Sequence, residues 1–92
     1  MSKIHELKCL PEYFQATCRG LKLFEIRKDD RGFEAGDYIN LREFKDGKYT
    51  SRIIFCRISY KTDYAQKEGY CVLGIDICEM FDRGEWNQEV DE

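Results

Sequence analysis

Residues 20–33 read GLKLFEIRKDDRGF, and this stretch carries the pattern that decides the fold. Its first half alternates apolar and charged residues, a period of two that is typical of a β-strand. On such a strand Phe24 and Ile26 lie on one face, and Glu25 and Arg27 lie on the other. The second half, DDRGF followed by EAGD, has the Asp and Gly content of a turn. The stretch therefore predicts a strand that runs into a charged turn.

The segments on either side predict one helix and further strands. KIHELKCL, residues 3–10, alternates at the strand period. PEYFQATCRG, residues 11–20, begins with a proline suited to a first helical turn and ends with Gly20, which is suited to a left-handed helix cap. YINLREF, SRIIFCRISYKT and YCVLGIDI predict three more strands, and Asp46-Gly47 predicts a hairpin turn between the first two of them.

Period two also predicts which residues of the last two strands share a face. In SRIIFCRISYKT the residues expected on one side are Ile54, Cys56, Ile58 and Tyr60. In YCVLGIDI the residues expected to face inward are Cys71, Leu73, Ile75 and Ile77. Five or six short strands in so small a chain usually close into a barrel, which removes exposed sheet edges. The sequence therefore predicts an α+β, mostly β fold, a small mixed β-barrel of five to six strands with one helix after the first strand.

The charges are unevenly placed along the chain. The 92 residues carry 15 basic and 18 acidic side chains, a formal charge of −3. Residues 82–92 hold five of the acidic and one of the basic residues, which leaves 14 basic and 13 acidic residues before them. We therefore divide the chain into a barrel, residues 1–80, and an acidic C-terminal tail, residues 81–92. Because the barrel is near neutral, any nucleic-acid contact must come from a local patch rather than from many phosphate contacts.

Cysteine and histidine content indicates neither a zinc site nor a cofactor. The chain has five cysteines, one histidine and no CxxC pair. We expect reduced thiols in a cytoplasmic protein, with Cys56, Cys71 and Cys78 packing as small hydrophobes. The start MSKIHELK lacks the apolar region of a signal peptide, and no run approaches the roughly 18 apolar residues that span a bilayer. No membrane partner is expected.

The charged residues around the first predicted strand have two interpretations. Arginine is suited to bidentate contact with phosphate or guanine, and glutamate accepts from base amino groups, so Lys22, Glu25 and Arg27 would suit a polar ligand such as a nucleotide. Alternatively, the charges solvate the turn, and Glu25 and Arg27 form a same-face ion pair worth at most about 1 kcal/mol.

A resemblance favours the first interpretation. The spacing of Gly20, Lys22, Glu25 and Arg27 resembles the G-x-K-x-x-E-x-R signature of the ASCH domain, a small β-barrel of the PUA-like superfamily. HELKCLPEYF, GLKLFEIRKDDRGFEAGD and GYCVLGI resemble more closely an uncharacterised ASCH-related bacterial and phage family, over about residues 4–77. The further positions that carry this resemblance are His5, Lys8, Arg31 and Gly36-Asp37.

The resemblance implies a charged cleft beside the helix that binds RNA or a nucleotide. One ASCH branch hydrolyses acetylcytidine nucleosides with a threonine nucleophile where this chain has Glu25, and a glutamate cannot replace a hydroxyl nucleophile. The sequence therefore favours a binding module over a hydrolase of a modified nucleoside or of RNA, in which Lys22 and Glu25 would be catalytic. A non-catalytic protein-interaction domain is the third possibility. The expected RNA- or nucleotide-binding residues are Lys22, Glu25, Arg27, Lys28, Arg31, Lys8, His5 and Tyr13.

Individual residues of this set have alternatives. His5 could act in acid–base chemistry or hydrogen-bond to a carboxylate, and Lys8 is expected on the opposite face of its strand. Tyr13 could stack on a base or pack against the body. Cys9 and Cys18 flank the helix and would be nucleophiles only if their pKa were lowered. The sequence leaves the oligomeric state open.

Overall fold

The computed structural model describes residues 2–82, which form five strands and one helix. In chain order the elements are β1 (Ile4–Cys9), α1 (Pro11–Cys18), β2 (Phe24–Lys28), β3 (Tyr38–Lys45), β4 (Lys48–Thr62) and β5 (Tyr70–Asp82). The last strand extends two residues into the segment predicted as an acidic tail, and the rest of that prediction lies outside the described residues.

The strands form a single curled sheet in the order β1-β3-β4-β5-β2. β1 pairs in parallel with β3, and every other neighbouring pair is antiparallel. This confirms the prediction of a mostly β α+β fold with five strands and one helix after the first strand. The sheet is a half-barrel, and its two edge strands, β1 and β2, are not neighbours within the described residues.

Helix α1 and the charged turn each place one aromatic ring in the core. Phe14 of α1 and Phe33 of the turn after β2 are both 1% exposed. The ring of Phe33 meets the His5 ring edge to face, with 4.7 Å between centroids. The strands contribute the other fully buried apolar side chains, namely Ile39, Leu41, Ile54, Cys56, Ile58, Cys71 and Leu73. The core therefore lies inside the curl of the sheet and depends on a loop residue.

Two turn predictions are confirmed by backbone geometry. Asp46 and Gly47 have φ of 52° and 79°, and they join the paired residues Lys45 and Lys48. Positive φ at both central residues is the geometry that a two-residue hairpin requires. Gly20 has φ of 74° just beyond the end of α1, as expected for a left-handed cap.

Two burial predictions are wrong, both near irregularities in the pairing of β4 with β5. Tyr60 is exposed because the register shifts between Ile58 and Tyr60, which turns Tyr60 away from the face that Ile58 shares with the core. Cys78 is exposed and is the extra residue of β5 at the other irregularity, where Phe55 pairs with Glu79 and Cys56 with Ile77. Ile77 is only partly buried. The predicted inward side chains of Cys71, Leu73 and Ile75 are confirmed.

A buried aspartate connects the turn before β3 to β1. The Asp37 carboxylate contacts His5 Nε2 at 2.9 Å and accepts backbone N–H bonds from Lys3 at 3.1 Å and Glu34 at 3.2 Å. An ionised carboxylate can only accept, so His5 donates through Nε2. The hydrogen bond from His5, followed by the backbone donors, lowers the pKa of Asp37 although burial opposes the shift.

A second buried carboxylate lies below α1. Glu43 accepts from Arg52 Nε and Nη2, each at 3.0 Å, and from Thr50 Oγ1 at 2.8 Å. The Arg52 guanidinium also lies 4.8 Å from the centroid of the Phe14 ring. The hydrogen bonds from Arg52 are the largest cause of the lowered pKa of Glu43. This network attaches β3 and β4 to the helix.

These two carboxylates predict the direction in which stability depends on pH. Because the pKa of each is lower in the folded state, their contribution is present above the ordinary carboxyl pKa and is lost as pH falls through the folded pKa. We expect the free energy of unfolding to be flat near neutrality and to fall below about pH 4. Urea titrations from pH 7 to pH 3 would measure this dependence. An unchanged acid slope in the double variant Asp37→Asn, Glu43→Gln would contradict the assignment.

Candidate functional site

A cavity of about 550 Å³ lies between the end of β1, the first turn of α1 and strand β2. This volume is in the range of about 300–1,000 Å³ that is usual for small-molecule sites. The residues that line it are Lys8, Cys9, Leu10, Tyr13, Lys22, Phe24, Glu25, Ile26 and Arg27. Lys22, Glu25 and Arg27 therefore lie at one cavity, as the resemblance implied.

The inner wall of the cavity is formed by the polar face of β2. Glu25 is only 3% exposed, whereas its neighbours Phe24 and Ile26 are exposed. Strand parity fixes this alternation, and the unexpected feature is that the carboxylate points to the interior. A buried carboxylate needs cationic or hydrogen-bonding partners to offset the loss of hydration. The chain supplies both from positions 22 and 27.

Glu25 is held from both sides by cations. Its Oε2 accepts from Lys22 Nζ at 2.7 Å, and its Oε1 accepts from Arg27 Nε at 3.0 Å and Nη2 at 2.8 Å. Lys22 Nζ also donates to the Phe24 carbonyl at 2.7 Å. The three side chains together carry a charge of +1, so the constellation favours anions at its solvent side.

Two arginines bridge the gap between the edge strands of the half-barrel. Arg27 Nη2 donates to the Lys8 carbonyl at 2.6 Å, and Arg31 Nη1 donates to the Glu6 carbonyl at 2.7 Å. Both acceptors belong to β1, which has β3 on its other side. Side chains thus satisfy carbonyl groups that an unpaired edge would leave to water. Arg27 therefore links the cavity to the closure of the fold.

Lys8 contributes mainly its backbone carbonyl to the cavity, whereas Tyr13 contributes its ring. Lys8 is on the exposed face of β1, opposite His5 as predicted, and its Nζ is 4.6 Å from the Phe44 ring centroid. Its clearest contact with the site is the carbonyl that receives Arg27. Tyr13 is 48% exposed, and Lys22 Nζ is 5.8 Å from its ring centroid. Tyr13 thus offers an aromatic surface at the mouth.

The other predicted site residues lie outside the lining of this cavity. His5 is buried against Asp37 and Phe33 in the interior. Lys28 is exposed at the end of β2, and the exposed Arg31 contacts the edge of β1. The charged stretch thus has two parts, a cavity wall from Lys22 to Arg27 and an exposed turn after it.

Ion pairs and backbone contacts fix the exposed turn on the sheet. Lys61 of β4 donates to the Asp29 carboxylate and to the Phe33 carbonyl, both at 2.8 Å. The hydrogen bond to Asp29 raises the pKa of Lys61. The backbone N–H of Asp29 donates to Gly69 at 2.8 Å. These contacts hold Phe33 in the core, so the turn has a structural role.

The cysteine beside the cavity is unsuited to nucleophilic chemistry. Burial, followed by the charge of Glu25, raises the pKa of Cys9 to about 11, and burial also raises the pKa of Cys18. The thiolate is the reactive form, and it is scarce at neutral pH for a thiol with so high a pKa. Neither cysteine therefore has the lowered pKa that a nucleophilic role would require.

Sequence reasoning missed the apolar part of the lining. Leu10, Phe24 and Ile26 all border the cavity, and all three are exposed. The available signal was their position, because Leu10 precedes the proline of α1 and the other two flank Glu25 in the motif. Exposed apolar side chains around a cluster of charged side chains are typical of a ligand site rather than of a solvated turn.

No group of three or more His, Cys, Asp or Glu side chains within residues 2–82 could hold a metal ion. Over the same residues, no helix is both long enough and apolar enough to cross a membrane.

The fold and the cavity define a small, mostly β domain with a charged, ligand-sized hollow beside helix α1. Residues 4–75 match a domain of unknown function, DUF3850, and the chain belongs to that family. It is also 40% identical over 74 residues to the "Uncharacterized 12.9 kDa protein in GpA 3′region" of Escherichia phage P2, a match that covers 79% of this chain and 68% of that protein. The family match includes every residue that lines the cavity.

Proposed function

We propose that this chain is an RNA- or nucleotide-binding domain of the ASCH, PUA-like kind, acting in the cytoplasm without turnover. The observation that carries the proposal is the Lys22–Glu25–Arg27 constellation at one wall of a 550 Å³ cavity. Its net positive charge suits an anionic ligand, and the exposed ring of Tyr13 at the mouth suits a stacked base. The ASCH signature described above occupies the same three positions.

Two features of the cavity favour binding over hydrolysis. The Glu25 carboxylate already accepts three hydrogen bonds from two cations, so its oxygens are occupied by protein donors rather than directed at a substrate. The candidate nucleophile of the lining, Cys9, has a pKa raised to about 11. The chain's own residues thus offer electrostatic complementarity and an aromatic surface rather than a primed nucleophile.

Titration with short RNAs, nucleotides and acetylated cytidine, while products are followed by chromatography, would test the proposal. We expect saturable binding without product. Tyr13→Ala should weaken binding by about 1–3 kcal/mol, the usual contribution of one stacked base, and its stability should change little because the side chain is half exposed. Tyr64→Ala is the matched control, since Tyr64 is 83% exposed and absent from the cavity lining.

Two results would contradict the proposal. One is the absence of binding to every RNA and nucleotide tried with the folded wild-type chain. The other is deacetylation or strand cleavage that persists through repurification and is abolished in Lys22→Ala, which would establish an enzyme.

A further inference from the structure

Both cations of the cavity retain hydrogen-bond donors that no described residue uses. Lys22 Nζ gives two of its three N–H groups, to the Phe24 carbonyl and to Glu25 Oε2. Arg27 uses Nε and Nη2, whereas no residue within 2–82 accepts from its Nη1. The side chains of Lys22 and Arg27 are 19% and 26% exposed, so both remain accessible from the cavity.

Glu25, in contrast, has little exposed surface and little free acceptor capacity for a ligand. Its side chain is 4% exposed, Oε1 already accepts two hydrogen bonds, and Oε2 accepts one. A carboxylate in this state is poorly placed to accept from the amino group of a base. It is well placed to hold an ammonium and a guanidinium together, at a separation that their mutual repulsion would otherwise increase.

The surroundings of the two cations combine polar and apolar groups, and Lys22 Nζ lies 5.0 Å from the centroid of the Phe24 ring. The start of α1 reaches the cavity through Leu10 and Tyr13, and no side chain caps the helix there. The first N–H groups of a helix lack intrahelical partners and favour negative charge. The exposed rings of Tyr13 and Phe24 and the side chain of Ile26 supply the apolar part.

We infer, on the basis of the proposed function, that the part of the cavity around Lys22 and Arg27 is a phosphate subsite in which these two side chains contact the phosphate oxygens of the nucleotide. Glu25 is a positioning residue that acts through these two cations and does not contact the base. Guanidinium and ammonium groups are the side chains that bind phosphate best, and the donors that remain here are Nη1 of Arg27 and the third N–H of Lys22 Nζ. The attached base then lies against the aromatic mouth.

Isothermal titration with cytidine, cytidine 5′-monophosphate and inorganic phosphate tests this subsite. We expect the monophosphate to bind at least tenfold more tightly than cytidine, and inorganic phosphate to compete with it. Arg27→Lys, which keeps the charge and removes the free Nη1 donors, should reduce the preference for the monophosphate several-fold. Arg57→Lys is the matched control and should leave the preference unchanged.

One short RNA, prepared with and without a 5′-phosphate, shows whether the subsite binds a terminal phosphate or an internal one. Tighter binding of the phosphorylated form identifies a terminal monoester as the ligand group. Equal binding of both forms, with the monophosphate still preferred to cytidine, identifies an internal diester.

Glu25→Gln tests the positioning role by comparing cytidine and uridine monophosphates. We expect a smaller preference for the monophosphate over the nucleoside, because the cations separate once the carboxylate is neutral. We also expect the ratio of affinities for the two bases to stay within about twofold. A change confined to cytidine monophosphate would show that Glu25 contacts the base amino group and would overturn its assignment.

The outcomes separate this inference from the proposed function. If cytidine binds as tightly as its monophosphate, the phosphate subsite is wrong while nucleotide binding stands. If no nucleoside, nucleotide or RNA binds to the folded wild-type chain, the proposed function fails and the subsite fails with it.

Discussion

Phe33→Ala is expected to lower the free energy of unfolding by about 3–5 kcal/mol, the usual cost of removing a fully buried phenyl ring. Phe33 is 1% exposed and lies in the turn after β2, yet it packs in the core against His5. Its loss leaves a cavity inside the half-barrel, although the Phe33 carbonyl that accepts from Lys61 remains. Since small domains are stable by only about 5–15 kcal/mol, the variant should be close to unfolding.

Urea denaturation of Phe33→Ala and of Phe24→Ala measures this effect against a matched control. Phe24 is the same residue type on the neighbouring strand, and it is 41% exposed. We expect its replacement to cost under about 1 kcal/mol, as is usual for partly exposed positions. Equal shifts of the two denaturation midpoints would contradict the assignment of Phe33 to the core.

The second large effect is expected at Arg27. Arg27→Met should destabilise the chain by about 2 kcal/mol. Breaking a buried ion pair usually costs about 3–5 kcal/mol, and we expect a smaller cost here because Lys22 remains beside Glu25. The substitution also removes the donor to the Lys8 carbonyl, so β1 and β2 lose a contact across the open side of the half-barrel.

A double-mutant cycle separates the two contributions. Glu25→Leu combined with Arg27→Met removes the buried charge together with its partner, so we expect the double variant to be more stable than the sum of the single changes predicts. Arg57→Met is the control for loss of an exposed arginine. A coupling free energy near zero, or equal costs of Arg27→Met and Arg57→Met, would show that the ion pair contributes nothing to the fold.

Local patterns predicted most of the fold because they depend on short-range physics. Strand periodicity placed all five strands, the proline and Gly20 bounded the helix, and Asp46-Gly47 marked the hairpin. Tyr60 was misplaced because a register shift within β4 cannot be read from alternation alone. The parallel pairing of β1 with β3 is set by the path of the whole chain, and no local signal predicts it.

Of the residues predicted for the site, only some line the cavity, since His5, Lys28 and Arg31 lie outside its lining. The motif named Lys22, Glu25 and Arg27, which share the cavity. Which face of β2 is buried could not be inferred, because burial usually follows the apolar residues and here the carboxylate is inside. The contact of Arg27 with Lys8 joins residues 19 positions apart and depends on the curl of the sheet.

The most direct test of the binding cavity is to map it by nuclear magnetic resonance on the 15N-labelled full chain, with cytidine 5′-monophosphate as the probe. We expect the largest shift changes in residues 8–13 and 22–27, including the side-chain Nε–H of Arg27, which borders the cavity. Residues of the exposed turn at 28–32 should change little. Saturating changes confined to that turn, or to any surface away from the cavity, with the Arg27 Nε–H signal unmoved, would contradict the account.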